Sequence, residues 1–398
     1  MFRSRLANLT ALAALLAASV VPVSTAAGQA TPLASPTAAQ ASTAIVVSVT
    51  NDPIRVPGSD GADHLEYDLL VTNALGAPVS LTSVEVLDAD GEVLLRLAGD
   101  DLVAATQPLL ALTPLQEIPG SGTVGVVLDV AVPPDRDVST LGHRIAYELA
   151  PDAPGRTIIG SFVVDGPALT VDPRPVTVIA PPLRGGGWLA VSACCSSAAL
   201  HRLVRLPVDG ARFAKIETFA IDWIQIRDGR PFDGDGSRRE QWYGFGAEVY
   251  AVADGTVVAV QEGRLEETPL RPTTNVHAPG DYSGNSVTIE IAPDVYAFYA
   301  HFQPGSVEVA PGDRVTSGQR LGLLGNTGNT DAPHLHFGLN DHPDPIVANS
   351  LPMVFDAWTL EGTITLETFL NATDVIPTGP TEPQTDTLQL YLDVADFG

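Results

Sequence analysis

The sequence predicts a mainly β protein, with an N-terminal immunoglobulin-like β-sandwich followed by a C-terminal antiparallel β-sheet domain with an open groove. Three observations carry this. Short runs of Val, Ile, Leu and Thr recur along the chain with turn signals between them. Glycine (36) and proline (33) are plentiful enough to punctuate those runs. No segment of useful length in the N-terminal half repeats its apolar residues at a helical period. At 398 residues the chain holds two or three domains of roughly 100–200 residues each. Its 45% apolar content is enough for real cores, and its 17% charged content excludes wholesale disorder.

Residues 1–30 read as a signal peptide. Arg3 and Arg5 are followed by the short apolar stretch Leu12 to Val21, then by small residues that offer Ser24-Thr25-Ala26 or Gly28-Gln29-Ala30 for cleavage. The stretch is short for a membrane span, no later segment reaches ~18 uninterrupted apolar residues, and no cysteine follows it to take a lipid. A secreted or cell-envelope protein without a membrane span after signal removal is expected. Residues 31–42, rich in Ala, Ser, Thr, Pro and Gln, read as a flexible linker.

Residues 43–180 form the expected sandwich. Its candidate strands are Ala44–Val49, Leu65–Thr72, Val79–Leu87, Val93–Leu97, Gly122–Val130, Arg144–Leu149, Thr157–Val163 and Val176–Ile179, separated by turns such as Gly58-Ser59-Asp60-Gly61 and Asp88-Ala89-Asp90-Gly91. No chemical constellation stands out here. His64 and His143 are isolated, and Asp88, Asp90, Asp100 and Asp101 do not fit a calcium loop. Pro181 to Gly187 breaks the pattern and marks a boundary. A second domain over residues 188–372 and an acidic tail over 373–398 follow, with Leu388–Val394 available as an edge strand.

A net charge of −26 excludes nucleic acid and anionic lipid as charge-driven partners. It also excludes simple adsorption to an anionic cell wall, so any recognition of such a polymer requires a specific groove. The two cysteines, Cys194 and Cys195, are adjacent. Their Cα spacing of ~3.8 Å lies below the usual disulfide span, so stability does not rest on a disulfide framework.

The chemistry-bearing residues gather in the second domain. In a strand, residues i and i+2 share a face, so His334 and His336 project together while Leu335 faces away. Two neutral imidazoles side by side suit zinc. By the same rule Tyr299 and His301 share a face in Ala297-Phe298-Tyr299-Ala300-His301. Asp222 sits inside the apolar run Phe219-Ala220-Ile221-Asp222-Trp223, where a carboxylate is costly unless paired or metal-bound.

Ordered along the chain, these elements resemble the M23 family of zinc metallopeptidases, the lysostaphin or LytM type. The resemblance spans roughly residues 200–345 and is carried by Ala220-Ile221-Asp222, by Tyr243-Gly244 and by Gly246 through Val257. Gly284-Asn285-Ser286-Val287, Tyr299-Ala300-His301-Phe302, the glycine-spaced run from Val309 to Gly322, Gly325-Asn326-Thr327-Gly328 and Pro333-His334-Leu335-His336-Phe337 continue it. The resemblance implies one Zn²⁺ and hydrolysis of peptide bonds, usually in peptidoglycan. It implies Asp222 and His336 as metal ligands. His301 and His334 become the catalytic histidines that orient or deprotonate the attacking water and stabilise the oxyanion.

One departure stands out. The family's first metal motif is H-x-x-x-D, and four residues before Asp222 this chain has Thr218, a poor zinc ligand. His201 is the candidate third ligand. A hairpin turning at Asp209-Gly210 would set residues equidistant from Gly210 opposite each other, bringing His201 to about residue 219. His277 and His342 lie in loop or turn sequence and are weaker candidates. Two functions follow: an active cell-wall endopeptidase, or a degenerate domain that binds peptidoglycan or regulates another hydrolase. A different metal-dependent hydrolase on the same scaffold is a third.

Overall fold

The structure, a computed structural model, describes residues 40–109, 113–371 and 374–398. The expected signal peptide, and the linker up to residue 39, lie outside the described residues. The chain from Ala41 to Gly398 is one compact unit of mainly antiparallel sheets, as its period-2 patterning predicts.

Two sheets share the N-terminal core. One runs Ile45–Val49, Asp63–Asn73, Thr123–Val132 and Thr106–Pro108, with Ile54–Pro57 also on Asp63–Asn73. The other runs Val163–Asp165, Thr140–Glu148, Val79–Leu87 and Val93–Ala98. The alternation of Asp63–Asn73 explains the layering. Leu65, Tyr67, Leu69 and Val71 are buried in the core between the sheets. The intervening His64, Glu66 and Asp68 are also buried, so the other face of this strand is covered too.

The second half is built on an 11-stranded sheet. Its order is Arg314–Val315, Gly255–Gln261, Asn285–Ala292, Val295–Phe302, Leu335–Asn340, Ile221–Gln225, Trp188–Ser192, Asp393–Asp396, Trp358–Thr363 and Glu382–Gln384, with Ser350–Leu351 on Leu335–Asn340. Ile221 pairs with Phe337, Asp222 with His336 and Trp223 with Leu335. Opposite residues of an antiparallel pair share a face, so Ile221, Trp223, Leu335 and Phe337 enter the core. The Trp223 and Phe337 rings stack there at 6.2 Å. Asp222 and His336 face the other way.

One feature differs from expectation. Asp393–Asp396 is an interior strand between Trp188–Ser192 and Trp358–Thr363 rather than an edge. Phe397 after it packs its ring against Trp223, Phe355 and Trp358, at 5.9, 5.8 and 6.5 Å. The adjacent cysteines do join, Cys194 to Cys195, in the bend that follows Trp188–Ser192.

Replacing Phe397 with Ala should cost about 3–5 kcal/mol, read as a lower denaturation midpoint, and a surface-like effect under about 0.5 kcal/mol would contradict this packing. His64 supplies a pH test. Its Nδ1 lies 2.8 Å from Asp129 and its Nε2 3.3 Å from Asp60. Burial opposes the imidazolium, but the two carboxylates raise its pKa from 6.5 to about 10. The folded chain therefore holds a proton that the unfolded chain releases near 6.5. The resulting stabilisation is complete below that pH and is lost as pH rises through about 10. Denaturation midpoints should fall across this window, and the slope should flatten in His64→Gln.

Candidate metal centre

Asp222 occupies the middle of the site. The Ile221–Gln225 strand is flanked by Leu335–Asn340 on one side and Trp188–Ser192 on the other, so Asp222 lies beside both His336 and Ser192. A register shift between Ala190 and Ser192 sets that second pairing. Three imidazoles reach the Asp222 carboxylate. His336 Nδ1 is 2.9 Å from Oδ1, His334 Nε2 is 3.5 Å from Oδ1, and His201 Nε2 is 2.9 Å from Oδ2.

His201 arrives from a turn. The Leu206–Val208 and Arg212–Ala214 strands form a hairpin with Leu206 opposite Ala214 and Val208 opposite Arg212, the register expected about Gly210. Strand pairing stops short of His201, which lies in the single-turn helix Leu200–Leu203. Its backbone N–H donates to Ser192 Oγ at 3.2 Å, and its Nδ1 meets the Ala220 carbonyl at 2.9 Å. The ring is thus brought beside His336, centroids 5.0 Å apart.

His301 corrects the strand rule. Regular alternation would put it on the Tyr299 side, but Tyr299 faces the core against Phe337 at 4.9 Å. His301 has φ 70°, in the left-handed region that L-residues rarely adopt. That turn of the backbone throws its ring to the opposite side, 4.5 Å from His334 and 6.0 Å from His336. Its Nδ1 meets the Thr327 carbonyl at 2.6 Å, as His334 Nδ1 meets the Ala332 carbonyl at 2.8 Å.

His201, His301 and His334 therefore share one device. A carbonyl accepts from the Nδ1–H, which leaves the Nε2 lone pair for a metal or a proton. The donor types, imidazole nitrogens and a carboxylate, are those zinc takes. Glu217 joins them, with one carboxylate oxygen and one nitrogen each of His201 and His336 all within 4.8 Å of one another. Sequence reasoning overlooked Glu217. It is buried and directly precedes Thr218 in the turn leading into Ile221–Gln225, and an acid beside a missing ligand position was the available signal.

The electrostatics follow from this crowding. Burial opposes a charged Asp222, but His201 and His334 hold it well below the usual carboxylate range. Burial likewise opposes a charged His201, yet Asp222 and Glu217 raise it to about 9. His334 is raised by Asp222 against its own burial. Burial and the neighbouring His334 and His336 push His301 well below 6.5.

The site opens into a groove lined by Leu270, Arg271, Pro272 and Thr273 of one loop and by Tyr282, Asn329 and Asp331. Glu267 shapes the first wall. Its buried carboxylate accepts from the backbone N–H groups of Thr274 and Asn275 at 2.9 and 2.7 Å. Neither His277 nor His342 lines this groove. The His277 backbone N–H donates to Asp281 Oδ2, and His342 Nδ1 accepts from the Asp344 N–H. Thr218 is buried, and its Oγ1 has no hydrogen-bond partner among the described residues.

Residues 243–347 match the model of Peptidase family M23. This stretch is an M23 domain. His301, His334 and His336 fall inside it, whereas His201, Glu217 and Asp222 precede it. Peptidoglycan DD-endopeptidase ShyA of Vibrio cholerae serotype O1 is 34% identical over 103 residues, which span 26% of this chain and 20% of that protein. The catalytic domain of lysostaphin from Staphylococcus simulans aligns at 19% identity over 42% of this chain and 88% of its own, TM-score 0.23. A zinc containing peptidase from Vibrio cholerae aligns at 15% identity over 72% of this chain and 80% of its own, TM-score 0.23.

Thr218→Val should leave folding stability within about 1 kcal/mol of wild type, because no hydrogen bond is lost, and should leave metal content unchanged. A drop in bound zinc in Thr218→Val would return position 218 to the ligand set.

Proposed function

We propose that this chain is a zinc-dependent metalloendopeptidase, secreted or held in the cell envelope, that hydrolyses peptide bonds of bacterial peptidoglycan. The observation that carries the reading is the convergence of His201 and His336 on Asp222 at 2.9 Å each, beside His301 and His334. Asp222, His336 and His201 would hold the ion, with Glu217, whose carboxylate lies within 4.8 Å of both histidines, as a further donor. When bound, zinc lowers the pKa of water to about 7 and polarises a scissile carbonyl.

The chain's own groups supply the remainder. His301 keeps its Nδ1–H on the Thr327 carbonyl, so Nε2 is free to accept a proton from the attacking water. His334, held through Nδ1 by the Ala332 carbonyl, has its Nε2 3.5 Å from Asp222 Oδ1, and once protonated that Nε2–H would stabilise the oxyanion and later serve the leaving amine. The groove between the 270–273 loop and Tyr282 receives the peptide in extended form. The ShyA relative acts, by its name, on peptidoglycan, and the −26 charge requires recognition through such a groove rather than adsorption to the wall.

Thr218 favours a second reading, a catalytically degenerate domain that binds peptidoglycan or regulates a hydrolase, since the family's first ligand position lacks its histidine.

Purified protein should carry close to one zinc per chain and lose peptidoglycan cleavage on chelation. His301→Ala should retain zinc and lose about 10²–10⁴ in kcat/KM, and His336→Ala should lose both zinc and cleavage. No zinc uptake at saturating supply would end the metalloenzyme reading, and biological activity surviving His336→Ala would favour the binding role.

A further inference from the structure

We infer that the N-terminal sheet pair completes the metal centre, because ion pairs from its Asp63–Asn73 strand hold the turn that delivers His201. The inference rests on the reading above that His201 is a ligand. Glu66 and Asp68 point away from their own core, on the face opposite Leu65, Tyr67 and Leu69. Both are fully buried. Carboxylates are not buried without compensation, and among the described residues their cationic partners come from the stretch around His201.

Arg202, next to His201, lies against Glu66, whose carboxyl burial holds well above the usual range, and is 3.6 Å from Asp68 Oδ1. Its Nη2 also donates to the Leu128 carbonyl at 3.2 Å, on the adjoining Thr123–Val132 strand. Arg205 Nε donates to Asp68 Oδ2 at 2.6 Å. Lys215 Nζ pairs with the same Asp68 oxygen and donates to the Arg202 carbonyl at 2.9 Å, tying the turn's backbone directly into the cluster. Arg202 and Arg205 are both fully buried.

The N-terminal sheet also makes room for this contact. A Cβ at Gly125 would lie 2.5 Å from Arg205 Cζ, so the guanidinium rests on bare backbone. The His201 turn needs such an anchor. It belongs to no sheet, and its own backbone bonds are the Arg202 N–H to the Ala199 carbonyl at 3.1 Å and a long Val204 N–H to His201 contact at 3.5 Å. A ligand on a turn is only as well placed as whatever holds the turn. Asp222 and His336 need no such help, being fixed by strand register. Buried ion pairs add little net stability but penalise misplacement heavily, which suits a positioning role. Asp68 and Gly125 are thus positioning residues for the third ligand.

The test measures zinc affinity of the full chain by competition with a chromophoric chelator, together with the visible spectrum of the cobalt-substituted protein. Variants are Asp68→Asn, Gly125→Ala, His201→Ala and Val71→Ala, the last destabilising the same sheet pair within its own core. Asp68→Asn and Gly125→Ala should weaken zinc binding roughly 10- to 100-fold and shift the cobalt spectrum toward that of His201→Ala. Val71→Ala should keep wild-type affinity and spectrum at a temperature where all are folded. If Asp68→Asn does not fold, Gly125→Ala, which changes no charge, decides. Wild-type affinity in Gly125→Ala with reduced affinity in His201→Ala overturns the positioning inference and leaves the metal reading standing. Equal losses in Val71→Ala also overturn it, by reducing the effect to general instability. No zinc in wild type, or undiminished zinc in His201→Ala, removes the ligand reading and the inference with it.

Discussion

The site depends on one constraint: a carboxylate, Asp222, in the middle of a sheet strand, walled by apolar neighbours. Left alone there it would be strongly destabilising. The chain answers by bringing three nitrogen donors from two separate segments onto its two oxygens, His201 on one and His334 and His336 on the other. Much of the surrounding architecture serves that convergence. The pairing of Ile221–Gln225 with Leu335–Asn340 sets His336, and the register shift at Ala190–Ser192 sets the serine that takes the His201 N–H. A group of donors that needs a cation to be quiet is also a group that can bind one, so the cost of burying Asp222 and the capacity for metal chemistry have the same origin.

Much of this was legible because it follows from local periodicity. Two-residue alternation puts His334 and His336 together, and both reach Asp222; the Gly210 hairpin keeps the register that a tight turn imposes, which is why a histidine well upstream of Asp222 could be named from sequence. The same rule fails at His301, since alternation presumes ordinary strand dihedrals and φ 70° reverses the side chain. A non-glycine residue held there costs of order 1 kcal/mol or more, and sequence carries no sign of it. Glu217 escaped for a different reason. Acids in turns are usually solvated, and only the fold reveals that this turn is buried against two histidines.

Long-range pairing lies further from sequence reading. Glu66 and Asp68 look like the wet face of a sandwich strand, and Arg202, Arg205 and Lys215 look like scattered surface cations. Nothing local links residues separated by 134 positions and more, as Arg205 and Asp68 are by 137. The Asp393–Asp396 strand was hidden similarly, because its two aspartates give an interior strand the composition of a tail.

That last strand also sets an order of events. It lies between Trp188–Ser192 and Trp358–Thr363, and Phe397 fills the space under Trp223, the immediate neighbour of Asp222. A nascent chain that has already displayed every histidine of the site still lacks the strand and ring that close the sheet beneath it. Synthesis must therefore reach residue 397 before the sheet beneath the groove is complete.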